Sequence, residues 1–349
     1  MEIREILEVA KSLGASDIHL IVGKAPVFRV HGDIIELESH ERLMPNEAQR
    51  LIYSIINDSQ QKVFEEKKEL DFSFGITTLG RYRANVHMQR GTVAAAIRTI
   101  TTDIPDLQSL GLPRSIDKFA EFNNGLVLVT GPTGSGKSTT LAAIIDKINT
   151  NTAQHIITIE DPIEYLHRHK KSVVEQREIK TDTESFSSAL KFALRQDPDV
   201  ILIGEMRDLE TIEAALTAAE TGHLVFGTLH TNDAAQTIDR IVDVFPTNQQ
   251  EQIRLQLSNA LRGVVSQQLI TRSDKKGRVL ASEVLVGTPA IANLIREAKT
   301  HQIYSMIETG ARFGMRSMDS ALKELYEKKF ITYDDMIKRM RNANIMEKM

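Results

Sequence analysis

Residues Gly131-Pro132-Thr133-Gly134-Ser135-Gly136-Lys137-Ser138 place three glycines, a lysine and a hydroxyl at the spacing G-x-x-x-x-G-K-[ST] without a mismatch. A backbone largely free of Cβ atoms can turn its N–H groups toward one anion, and a helix opening at its end adds the favourable pole of its dipole. Lys137 then reaches the terminal phosphates and Ser138 offers its hydroxyl to magnesium, with Thr139 next in the same turn. The chemistry expected is binding of ATP with Mg2+. A Gly/Ser turn capping an ordinary helix is the plain alternative. The intact motif, set between the apolar run Leu126–Val129 and a helical pattern over 139–145, weighs against it.

Hydrolysis of ATP needs positioned phosphates, magnesium, an oriented water and positive charge near the transferring group. Glu205 follows the apolar run Val200-Ile201-Leu202-Ile203 and is placed to hold magnesium or its water. Glu160, Asp161 and Glu164 follow Ile156–Ile159, and either glutamate is spaced to polarise the attacking water; spacing alone does not choose between them. His223 and His230 flank Leu224–Thr228, and His230 is a candidate sensor of the γ-phosphate. Earlier in the chain, Arg81, Arg83, Asn85 and His87 alternate with Tyr82, Ala84, Val86 and Met88, which predicts a strand with one core face and one cationic face. A solvated strand face explains that pattern, and so do arginines aimed at a phosphate or a neighbouring subunit.

These groups need a scaffold that brings strand ends together. Apolar strands alternating with helices predict a mainly parallel sheet covered on both faces, with ligands at the carboxyl ends of the strands. The P-loop, Glu160 to Glu164, Glu205 and His230 all follow such strands. Before them, a helical pattern over 2–13 and short β segments at 18–22, 27–30, 33–37, 71–74, 81–90 and 93–100, with helical patterns over 46–57 and 60–67, predict a small α+β domain. Pro105, Gly111 and Pro113 mark the boundary stretch 101–124. The expected division is a domain over 1–100, a linker over 101–110 and a second domain over 111–349. Beyond residue 233 helical patterns dominate, including a long one over 247–269. A hairpin is signalled at Lys275-Lys276-Gly277, and Thr288-Pro289 and Thr332 read as helix starts.

The 349 residues suffice for two domains with their own cores, and the net charge of −4 with 26% charged residues gives no basic excess for nucleic acid. No cysteine is present, which excludes disulfides and cysteine-based zinc sites and fits a reducing compartment. No run of about eighteen apolar residues occurs, so no transmembrane segment is expected and membrane contact should come through a partner.

Together these segments resemble the secretion-type hexameric ATPases, and within them the type IV pilus retraction motors. Gly131–Ser138 matches the family's Walker A motif, Thr158–Glu164 its Asp box, Asp197–Asp208 its Walker B segment and Thr221–Thr231 its His box. Arg81–Arg90 matches in the first domain. The retraction motors share a late A-I-R-N-L-I-R-E motif, which stands here as Ala290–Glu297 with Ala292 in place of its arginine. The resemblance implies a PAS-like N-terminal domain joined to a RecA-like P-loop NTPase domain with a helical C-terminal end, six copies forming a ring. It further implies Glu164 as catalytic glutamate, Glu205 as Walker B acid, His230 facing phosphate, and Arg81 and Arg83 as phosphate contacts. The implied partners are an inner-membrane pilus platform protein and a second retraction ATPase, with the ring at the cytoplasmic face of the membrane. An extension or secretion motor resembles longer chains, often with a four-cysteine zinc motif. A nucleic-acid translocase and a non-hydrolysing scaffold are the readings from other classes.

Overall fold

The computed structural model describes residues 2–30, 32–37, 40–101 and 103–341. Thr102 of the expected linker and the last eight residues of the expected second domain lie outside them. The chain divides into two compact units, Met1–Asp103 with Glu164–Leu166, and Ile104–Ile163 with His167–Met349.

In the first unit, helix α1 (Ile3–Leu13) precedes strands β1 (Asp17–Leu20), β2 (Val27–Val30) and β3 (Asp33–Glu36), helices α2 (Pro45–Tyr53) and α3 (Asp58–Lys67), and strands β4 (Glu69–Ile76), β5 (Gly80–Gln89) and β6 (Thr92–Ile100). Two antiparallel meanders join through β1 and β6 into one sheet, ordered β3-β2-β1-β6-β5-β4. Ile6, Leu7, Phe28, Leu51, Ile52 and Phe64 fill its core with Tyr82, Ala84 and Val86 of β5. The expected core face of β5 therefore forms, except that Met88, at the strand's end beside the turn, is exposed.

The second unit continues with β7 (Gly125–Thr130), α4 (Lys137–Asn151), β8 (His155–Glu160), β9 (Val173–Glu178), α5 (Phe186–Ala193), β10 (Val200–Ile203), α6 (Leu209–Glu220), β11 (Leu224–Leu229), α7 (Ala234–Asp243) and α8 (Gln250–Ala260). It closes with β12 (Leu261–Thr271), β13 (Arg278–Val286), α9 (Pro289–Arg296), α10 (Ile303–Thr309), α11 (Met318–Glu327) and α12 (Tyr333–Ile337). Its seven-stranded sheet is ordered β13-β12-β7-β11-β10-β8-β9, parallel except for the β12–β13 hairpin. Alternate residues of β7 feed opposite layers, as the strand's period of two requires. Leu126 and Leu128 pack with α5, α6 and α8, while Val127 and Val129 pack with Leu141, Ile144 and Ile148 of α4 and with Leu107, Ile116 and Phe119. Leu107 and the 3-10 turns Leu107–Leu110 and Arg114–Glu121 thus belong to this unit's core.

One expectation is corrected here. The helical pattern over 247–269 is a helix only to Ala260; Leu261–Thr271 is a strand between β7 and β13. The β-branched pair Val264-Val265 suits a buried strand, and at Gly263 the space a Cβ would need is taken by the Phe119 ring. Thr288 and Thr332 cap their helices as expected, accepting from the N–H groups of Ile291 and Asp335.

Candidate functional site

The P-loop leaves the fully buried strand β7 and enters α4, whose N-cap is Gly136 at φ 91° with no side-chain cap. Gly131 adopts φ 138°, and a Cβ there would collide with the Gln267 carbonyl and come within 2.7 Å of Ser135 Oγ. Only glycine fits that turn. Ser135 is 3% exposed, and its Oγ has no protein hydrogen-bond partner. An unmatched buried hydroxyl, a backbone pressed close and an uncapped helix N-terminus together fit a phosphate. Lys137 Nζ donates to Gly131 O at 2.8 Å and Pro132 O at 3.1 Å, folding back over the loop. Burial lowers its pKa and the Glu205 carboxylate opposes that shift, so the two charges feel each other.

Glu205 is placed by the sheet. β10 pairs in parallel with β8 and β11, so residues after Ile203, Ile159 and Leu229 emerge on one edge. Gly204 N donates to Ile159 O at 2.8 Å, Thr228 Oγ1 donates to Gly204 O at 2.5 Å, and Met206 N donates to Thr228 O at 3.0 Å. These bonds fix the segment carrying Glu205. Its Oε1 lies 3.0 Å from His230 Nε2 and in close contact with Arg207 Nε. The carboxylate raises the pKa of Arg207, holding the guanidinium charged. The reading from spacing omitted Arg207, although residues 205 and 207, two apart on an extended segment, share a side.

His230 is held by its loop: Thr231 Oγ1 meets Thr237 Oγ1 at 2.7 Å, and Asp233 caps α7 by accepting from Gln236 N at 2.8 Å. His223 sits at the opposite, amino end of β11, with Nδ1 3.0 Å from Ala218 O. Glu160 remains on the ligand edge, where its Oε1 accepts from Thr158 Oγ1 at 2.6 Å and Gln176 Nε2 at 3.2 Å. Below the P-loop, Thr130 Oγ1 meets Ser266 Oγ at 2.9 Å, and Gln267 Nε2 donates to Thr140 Oγ1 at 2.7 Å. These two contacts come from the strand that periodicity read as helix.

The second unit thus gathers Lys137, Glu205, Arg207 and His230, with Glu160 at the neighbouring strand end. Ser138 and Glu205 supply one hydroxyl and one carboxylate, a donor set suited to a magnesium ion shared with nucleotide phosphates. Glu164 is exposed and folds with the first unit, where Tyr165 bridges Thr101. Arg81 and Arg83 lie on the half-buried outer face of β5, and Arg83 borders a depression of about 290 Å³ with Asp17, Asp71, Asn85 and Arg98. In α9, Ile291 and Ile295 are buried and Arg296 Nη1 donates to Ser258 Oγ at 3.3 Å. Ala292 borders a cavity of about 270 Å³ that Arg262 and Arg296 also line.

A doubly covered, mainly parallel sheet with a P-loop after one strand, and an acid and a histidine after two others, defines a P-loop nucleotide-binding protein with a RecA-like core. The family model of the type II/IV secretion system proteins matches residues 2–332, and the chain belongs to that family. It is 51% identical over 335 residues to the type IV pilus retraction ATPase PilT of Pseudomonas aeruginosa, covering 96% of this chain and 97% of that protein. It is 49% identical over 321 residues to a twitching motility protein of Neisseria gonorrhoeae, covering 92% of this chain and 86% of that protein. Among solved structures, the pilus retraction motor PilT with bound ADP superposes with a TM-score of 0.92 at 52% identity, covering 100% of both chains.

Proposed function

We propose that this protein is a magnesium-dependent ATPase that works as a hexameric motor, retracting type IV pili by withdrawing pilin through the inner-membrane platform protein. The observation that carries the reading is the shared strand edge, where β10 and β11 pair in parallel beside β7 and its P-loop and bring Glu205 Oε1 within 3.0 Å of His230 Nε2. Full-length similarity to retraction ATPases supplies the direction of work.

In this reading Gly131–Thr139 wraps the phosphates, Lys137 reaches the terminal ones, and Ser138 and Glu205 hold magnesium, whose role is to neutralise phosphate charge. His230 faces the γ-phosphate. Glu160 already spends one oxygen on Thr158 and Gln176, whereas Glu164 is exposed, so Glu164 is the better candidate to polarise the water. Arg81 and Arg83 contact phosphate from a first unit that is PAS-like, and nucleotide state alters the relation of the two units. The linker between the two domains, expected over 101–110, then lies near residue 103, where the two units divide, with Leu107–Leu110 packed in the second. No described helix is long and apolar enough to cross a membrane. In this reading the ring works at the cytoplasmic face by docking on the platform, with a second retraction ATPase as companion.

Lys137→Ala tests the enzyme: magnesium-dependent ATP hydrolysis should vanish, and full activity would refute the assignment. Deleting the gene tests the direction. Extra surface pili with lost twitching fit retraction, and absent pili would mark an extension motor.

A further inference from the structure

Glu283 is 2% exposed, in the middle of β13, and the nucleotide chemistry makes no use of it. A carboxylate in such a place is costly unless its oxygens are matched. Here one oxygen accepts from Ala234 N at 3.0 Å. This donor is the first residue of α7, and the next residue of β13, Val284, pairs with Arg316 just before α11. The side chain therefore bonds the opening turn of one helix from a strand whose next residue holds the approach to another, far apart in sequence.

What each helix leads to gives the contact its meaning. α7 begins directly after the loop 230–233, so Ala234 N fixes the downstream end of the segment carrying His230. The Thr231–Thr237 contact and the Asp233 cap lie within the loop and its own helix. Glu283 adds a tie from a different strand. On the far side, Arg316 bridges Val284 in both directions, at 2.8 and 3.0 Å, and seats α11 on β13. Asp319 in the first turn of α11 accepts from Tyr304 Oη of α10 at 3.1 Å and from Arg341 N at 2.8 Å, with the Arg341 guanidinium over the Tyr304 ring at 4.5 Å. Glu283 is also the cross-strand neighbour of Ser266, whose hydroxyl meets Thr130 at the root of the P-loop.

We propose that Glu283 is a positioning residue coupling the His230 loop to α10 and α11, so that nucleotide occupancy at the P-loop is felt at the C-terminal helices. This rests on His230 facing the nucleotide. A shift of the loop moves Ala234 N, and Glu283 cannot follow it without disturbing β13, whose next residue Val284 holds Arg316. A buried acceptor left without its donor is penalised, so the start of α7 and the part of β13 that holds Arg316 move together.

Hydrogen exchange on the full chain with and without ADP tests this, with ADP binding measured separately by a fluorescent analogue. ADP should change protection at 230–237 and at 316–322 in the wild type. Glu283→Ala should bind ADP within about three-fold of wild type and lose the response at 316–322, while its kcat for ATP falls about ten- to a hundred-fold with little change in KM. Glu283→Gln keeps an accepting oxygen and should restore the distal response in large part, an outcome that a loss of general stability would not give. Combining Glu283→Ala with His230→Ala should cost less in kcat than the product of the single losses. A wild type whose 316–322 segment ignores bound ADP would overturn the coupling, and so would a Glu283→Ala protein that responds as the wild type does. Failure of ADP to bind at all would instead overturn the nucleotide assignment beneath it.

Discussion

In the proposed site, the groups at the end of β7 that would meet the nucleotide are backbone N–H groups, held by glycine conformations and by a carbonyl of β12 lying against Gly131. At the ends of β10 and β11 they are side chains, Glu205 and His230, held by one shared oxygen and by Thr228 reaching Gly204 O. A backbone cradle has few ways to fail gradually. It binds when its turn is formed and fails when the turn is blocked. A side-chain cluster can lose one member and keep its shape, so its damage should appear in turnover more than in affinity.

Blocking the turn should give the largest effect. Gly131→Ala places a Cβ against the Gln267 carbonyl at φ 138°; ADP binding should fall more than about a hundred-fold and stability by about 2–4 kcal/mol. Calorimetric titration and thermal unfolding read these, and near-normal binding would break the contrast.

The buried carboxylate beneath the cluster should leave a pH signature of comparable size. Burial pushes Glu283 up to about 7 from an ordinary 4.5, against the pull of its Ala234 hydrogen bond; Asp233 adds to the rise and the Met318 N–H and Arg341 oppose it. The folded protein then keeps this proton up to about pH 7 while the unfolded chain releases it near 4.5. Its contribution to stability is present below that window and declines as pH rises through it, by about 3 kcal/mol. Glu283→Gln, which has no proton to lose, should gain on the wild type by about that amount between pH 4.5 and 7.5 in urea unfolding. A constant difference across that range would show the carboxyl to be ionised throughout.

Within the cluster, His230→Ala should lower kcat about ten-fold and leave KM for ATP within about three-fold, as steady-state kinetics would show. Arg207→Ala should do least. Its side chain is 75% exposed, and an exposed ion pair is worth at most about 1 kcal/mol. A loss of ADP affinity in either variant would mean that the cluster shares the work of the cradle.

The same contrast explains what could be read from the residues in a line. The P-loop is local, and its spacing and flanking strand and helix are contiguous, so Gly131–Ser138 was legible as a unit. Glu205 and His230 were legible because an apolar run of strand length ending in a polar residue marks a carboxyl edge in a parallel sheet. Glu160 was found by the same rule, but its bonds to Thr158 and Gln176 depend on β9 lying beside β8. That strand, with charged residues at 175, 177 and 178, carries little apolar signal. β12 was hidden because its apolar residues run on from those of α8, with Gly263 falling inside the strand and not at the junction, and with it went Ser266 and Gln267. Arg207 had a signal, its spacing from Glu205, and Glu283 had none, since a lone glutamate in a strand normally reads as a solvent-facing residue.

The central claim is that the cradle binds and the cluster turns over. Glu205→Gln tests it most directly, with ADP affinity and magnesium-dependent ATP hydrolysis measured on the same preparation. The expected result is affinity within about three-fold of wild type and hydrolysis reduced at least about a hundred-fold. Hydrolysis near the wild-type rate, or affinity lost together with turnover, would contradict it.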